Sequence, residues 1–193
     1  MKHTTHISLR RSILAIAIAI AGTSCSINMQ HKPLKDPAVR RSGAVSTALA
    51  ATGIDGRVGW GTFTAFFIPI VPVHVEGDGN RAVMSFVNEA LKKAGYDVRG
   101  GGSGGKVLQC DANLSYWNYT WLFPIVPTWG SSALNVSLVE NGQVLWSKKF
   151  KGRGATLNFF NGYTSSNRQA MTKVLNEMVD AFASDDFRAA LGR

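Results

Sequence analysis

Apolar and polar residues recur with two different periods along this chain, and each change of period marks an element. Val83, Phe86, Val87, Ala90, Leu91 and Ala94 return at helical spacing, with Asp78 or Asn80 placed to cap the start and Gly95 to stop it. Met171, Val174, Leu175, Met178, Val179 and Phe182 predict a second amphipathic helix, capped by Ser165 or Ser166, and residues 187–191 add a further turn. The remaining patterned stretches read as strands. Residues 58–75 are rich in aromatic and β-branched side chains but are interrupted by Pro69 and Pro72, which predicts two extended pieces with a break between them. Residues 96–99 form a short strand and residues 106–121 a longer one. Residues 133–139 and 143–151 are joined by Asn141-Gly142, a pair that tolerates the positive φ angles of a type I′ hairpin turn. Strand, helix, antiparallel strands and helix, in that order, predict an α+β fold: a two-layer sandwich with a mainly antiparallel sheet and two helices on one face.

Upstream of residue 55 the pattern differs. Lys2, Arg10 and Arg11 precede an uncharged, mostly apolar run at residues 12–22, and no acid occurs among the first 24 residues. This is the layout of a secretion signal, and the run is too short to span a bilayer, which takes roughly 20 residues. Gly22-Thr23-Ser24-Cys25 follows. Here the chain resembles bacterial lipoproteins, whose signals end in two small residues and a cysteine that receives diacylglycerol; Gly22 stands where a branched residue is usual, and Ala19-Ile20-Ala21 also suits ordinary signal peptidase. The resemblance implies a signal peptide at 1–24, lipidation of Cys25 and, with Ser26 next, an outer-membrane address facing the periplasm. Residues 25–54, with Pro33, Pro37 and the Arg40-Arg41 pair, read as lipid anchor and flexible tether, leaving 55–193 as one domain. That organisation, with the hairpin at residues 142–146, is similar to small Gram-negative envelope lipoproteins that assist transport or assembly complexes.

Charge adds little. The signal holds three of the 21 basic residues and none of the 12 acids, so the mature chain carries +6 rather than +9. No basic-aromatic cluster resembles a nucleic-acid motif. Cys110 sits in an alternating strand and reads as a small buried hydrophobe.

The candidate chemistry is sparse. Gly100, Gly105 and Lys106 match the first part of a phosphate-binding loop, but Val107 replaces the hydroxyl residue and a strand pattern follows, so no nucleotide is expected. His74 with Glu76 and Asp78 at alternate positions is a weak metal set. Asp185-Asp186 reads as a turn or cap. No cofactor, metal or catalytic group is expected.

The strongest unassigned signal is an internal echo, Phe66-Phe67-Ile68-Pro69-Ile70-Val71-Pro72 and Trp121-Leu122-Phe123-Pro124-Ile125-Val126-Pro127. Proline resists central strand positions, so both copies are expected in loops or at strand ends. They could pack on each other, dock together on a partner, or enter a lipid surface with help from nearby Trp and Tyr. The expected function is a non-catalytic accessory component of an envelope complex, held by its lipid anchor. Phe66, Phe67, Ile68, Pro69, Trp121, Phe123, Pro124 and Ile125 are the expected contacts to an envelope protein partner. A carrier of an apolar ligand such as a lipid, and an envelope hydrolase, are the alternatives.

Overall fold

A computed structural model describes residues 25–27, 29–49, 58–65, 68–75, 79–100, 105–118, 128–157 and 162–192; at 25–27, 46–49, 58–65, 68–75, 80, 100, 111–118 and 162–163 only the backbone is described. Among the described residues eight strands form one sheet: β1 (Cys25–Ile27), β2 (Ala44–Leu49), β3 (Val58–Ala65), β4 (Ile68–Val75), β5 (Asp97–Gly100), β6 (Val107–Asn118), β7 (Thr128–Glu140) and β8 (Gln143–Thr156). Three helices among the described residues accompany it: α1 (Gly79–Ala94), α2 (Gly162–Phe182) and α3 (Asp185–Gly192). The fold is α+β, as the pattern predicts.

Strands β6, β7 and β8 make an antiparallel meander whose hairpin turns at Asn141 (φ 49°) and Gly142 (φ 79°), the positive angles that the dipeptide predicts. A register shift between Leu138 and Val139 sets Leu138 opposite Trp146 and Val139 opposite Val144. The extra residue turns Trp146 toward the helices, where its ring lies 5.0 Å from Phe187 and 6.2 Å from Phe182. Along β7 the even positions from Thr128 to Leu138 are all buried, so α2 covers this face of the sheet.

The sheet is more mixed than alternation alone suggests. β2 and β3 run one after the other along the free edge of β6, both parallel to it, and β2 also pairs in parallel with β5. β3 and β4 form an antiparallel hairpin, with β1 parallel to β4 beyond it. Parallel pairs join segments far apart in sequence, and no local period announces them.

Helix α1 buries Val83, Met84, Val87, Ala90, Leu91 and Ala94. It stops as predicted at Gly95 (φ 105°), with Gly95 N donating to Lys92 O (2.9 Å) and Tyr96 N to Leu91 O (3.1 Å). Only glycine fits there, because a Cβ would stand 1.9 Å from Arg41 O. Helix α2 begins earlier than its apolar spacing suggests, so Ser165 and Ser166 lie inside its first turns rather than capping it. The last predicted turn is the separate helix α3; Ser184 Oγ accepts from Phe187 N (3.4 Å), and Asp185 and Asp186 occupy its first turn.

The largest departure from the sequence reading lies in the expected tether. Residues 29–43 cross the helices as a strap, with Met29, Leu34 and Pro37 buried. Lys32 N donates to Thr172 Oγ1 and Lys35 N to Asn176 Oδ1, both at 2.9 Å, so two side chains one turn apart on α2 satisfy the strap's backbone. Lys35 pairs with Asp180, Lys93 with Asp36 and His31 with Glu89. Arg41 closes the strap by donating Nε to Ala183 O (2.8 Å) and its backbone N to Ala94 O (2.8 Å). Strands β1 and β2 also fall within the residues assigned to the tether.

Candidate functional site

Strand direction decides where the two proline-aromatic segments meet the sheet. β3 and β6 are parallel, with Thr62 opposite Trp117, so Ala65 and Asn118 end their strands on the same side. β4 starts back from that side at Ile68, and β7 starts at Thr128, directly opposite Asn118. β3 and β6 therefore end, and β4 and β7 start, at one end of the sheet. Ile68 and Pro69 lie in β4, opposite Ala65 and Thr64. Phe66, Phe67, Trp121, Phe123, Pro124 and Ile125 lie outside the described residues.

Contrary to the loop or strand-end expectation, Pro72 sits well inside β4, and the register explains how it is accommodated. A shift between Phe63 and Thr64 leaves Ile70 without a partner and places Pro72 opposite Thr62 and Pro69 opposite Thr64. Three residues apart in β4, the prolines thus face residues two apart in β3 and share one type of ladder position. Proline is tolerated where its nitrogen points away from the neighbouring strand, and one bulge gives both that position.

Around this end the described side chains have a distinct chemistry. Trp129 is 41% exposed and Leu157 70% exposed. Lys149, Lys151 and Arg153 are exposed at alternate positions on β8, opposite Asn135, Ala133 and Ser131. They project from the sheet face that the helices leave bare. Helix α2 starts at the same end: added Cβ atoms at Gly130 and Gly154 would meet Asn167 N at 2.9 Å and Ser166 O at 2.0 Å. These glycines let its backbone rest directly on the sheet. At this contact Thr128 and Ser132 of β7 and Ser166 and Asn167 of α2 are buried.

Cys25 opens β1 opposite Val73, and His74 pairs in register with Ser26. The other two members of the weak metal set, Glu76 and Asp78, lie outside the described residues. Among the described residues no group of three or more His, Cys, Asp or Glu side chains is placed to hold a metal. Cys110 is buried, as its alternating setting predicts.

The opposite end of the sheet holds an open cleft of about 610 Å³, lined among others by Tyr96, Arg99, Lys106, Glu140 and Arg188. Lys106 Nζ donates to Leu191 O (2.7 Å), and Val107 opens β6. The glycine-lysine resemblance thus resolves into a strand whose lysine caps the carbonyl end of α3. Tyr96 donates its hydroxyl to Phe182 O (3.1 Å); burial raises its pKa, opposed by the charges of Arg41 and Arg188. This cleft was not legible in the sequence, since its residues come from segments that show no common motif.

No protein-family model matches the chain, and no curated protein sequence matches it. Among solved structures, protein XCC0632 from Xanthomonas campestris, of family DUF330, superposes with a TM-score of 0.56 at 15% identity, covering 89% of this chain and 100% of that one. A minor lipoprotein from Acinetobacter baumannii follows at a TM-score of 0.42 and 7% identity, covering 78% and 94% respectively. The first likeness is one of fold. The neighbours thus include lipoproteins of Gram-negative bacteria.

Proposed function

We propose that this protein is a non-catalytic envelope lipoprotein, lipidated at Cys25 and held at the outer membrane facing the periplasm. There it serves as a binding, accessory component. Its working surface is the end of the sheet to which the two proline-aromatic segments belong. The observation that supports this reading is the parallel pairing of β3 with β6, which ends both strands on one side of the sheet, the side from which β4 and β7 start. Large contiguous apolar surfaces on a protein mark interaction sites.

The test separates binding from the anchor. Mature chain with Cys25→Ser, which carries no lipid, is added to washed cell envelopes and sedimented with them. It is expected to be retained, and the pair Phe67→Asp with Phe123→Asp to abolish retention while circular dichroism stays native. Retention equal to that of the parent would remove the segments from the reading. Mass spectrometry of the mature N-terminus is expected to find diacylglycerol on Cys25.

A further inference from the structure

We propose that the surface taken by this end of the molecule is the lipid bilayer itself, with the domain seated directly on the membrane rather than suspended above it; this rests on the envelope-lipoprotein reading and names its partner.

The first observation is the place of the anchor. The ladder runs without a break from Cys25 through Val73, Gly61, Tyr116 and Gly130 to Gly154, one residue from each strand. Five strand spacings, roughly 24 Å, thus separate Cys25 from Gly154, whose neighbour is Arg153. β1 is parallel to β4, so Cys25 is the residue of β1 nearest the proline-aromatic end; it lies five residues beyond Ile68 along β4, and its ladder crosses β6 at Tyr116 and β7 at Gly130, two residues from where those strands end and start. Beyond Cys25 the chain joins β1 at once, and Met29 is already buried. No spacer separates a lipid on Cys25 from the sheet.

The second observation is the order of side chains at that end. Trp129 and Leu157 are exposed where β7 starts and β8 stops, and Arg153, Lys151 and Lys149 follow at increasing distance from the end. Tryptophan at the interface, with cations at headgroup height behind it, is the arrangement a membrane surface selects. Lysines on an exposed edge strand also discourage pairing with other chains. That role does not account for exposed Trp129 and Leu157, nor for α2, which places Arg168 and Lys173 at this end and its first acid only at Glu177. Between Glu140 and Glu177 the chain carries six basic residues and no acid. Anionic headgroups meet positive charge and find no carboxylate on β7 before Glu140 at its far end, on β8 or on the first half of α2.

The experiment uses mature chain bearing Cys25→Ser and vesicles of phosphatidylethanolamine with phosphatidylglycerol. The chain is expected to float with the vesicles, and Lys151→Glu with Arg153→Glu to lower its partitioning roughly tenfold or more. Spin labels at Leu157→Cys and Val144→Cys, two exposed apolar positions at opposite ends of β8, report orientation. The label at 157 should be shielded from a water-soluble relaxant and the label at 144 should not. Equal accessibility of the two labels overturns the proposal even if the chain floats. Retention on washed envelopes without binding to pure lipid overturns it in favour of a protein partner and leaves the functional reading standing. Failure to bind either surface overturns both.

Discussion

Single glycines hold the two layers of this molecule together, because their missing Cβ atoms let α2 lie against β7 and β8. An added Cβ at Gly154 would stand 2.0 Å from a backbone oxygen, which no rotamer change relieves, whereas at Gly192 it meets nothing within 4 Å. Gly154→Ala is expected to destabilise by about 3 kcal/mol or more through overpacking, and Gly192→Ala to stay within about 0.5 kcal/mol, by urea denaturation. Tyr96 offers a second comparison at this scale. Its hydroxyl satisfies the Phe182 carbonyl while the ring packs 5.6 Å from Phe187, so Tyr96→Phe keeps the packing and loses the bond. The expected loss is about 1 kcal/mol. Single residues were legible in sequence where their chemistry is local: Asn141-Gly142 specifies its turn, and Gly95 its helix end. Pro72 misleads because a bulge two residues away, invisible in sequence, makes its strand position tolerable.

At the scale of elements, apolar periodicity exposed α1, the apolar stretch of α2 and the β7-β8 hairpin, because each buries one face against a neighbour. The strap has no such period. It is extended, it borrows hydrogen-bond partners from side chains on α2, and its buried residues Met29, Leu34 and Pro37 are too irregularly spaced to resemble strand or helix. Leu34→Ala is expected to cost about 2 kcal/mol, the lower end for a buried leucine, and to expose the strap to limited proteolysis. The strap also responds to acid. Lys93, through a hydrogen bond and its charge, and then Arg40 hold the Asp36 carboxyl below its ordinary 3.8. A depressed carboxylate contributes stability above its unfolded pKa and loses it as pH falls through the folded one. Asp36→Asn should therefore lower the urea midpoint slightly near neutrality, and the difference should shrink as pH falls below the ordinary 3.8 and vanish once it has passed the lowered folded value. A midpoint difference that persists in acid would show that the ion pair with Lys93 is not its source.

For the whole molecule, the open question raised by the topology is why so long an edge remains unpaired. Among the described residues β8, 14 residues long, pairs only with β7 and forms the outer limit of the sheet. The sequence named β8 as a strand but could not reveal it as an edge, because edge position depends on β2 and β3 both choosing β6. Such an edge invites a second copy to add its own β8 in antiparallel register, and the exposed Lys149 and Lys151 would then face the cations of the partner across the junction. Replacing both with threonine keeps strand propensity and removes the repulsion. The double variant Lys149→Thr with Lys151→Thr is expected to melt within a few degrees of the parent yet sediment as dimers or larger species in dilute buffer. The parent should stay monomeric at the same concentration and begin to associate only when added salt screens the charges. A variant that remains monomeric would mean that the edge is blocked by shape, leaving the cations free of any protective duty and available wholly to the surface on which the domain rests.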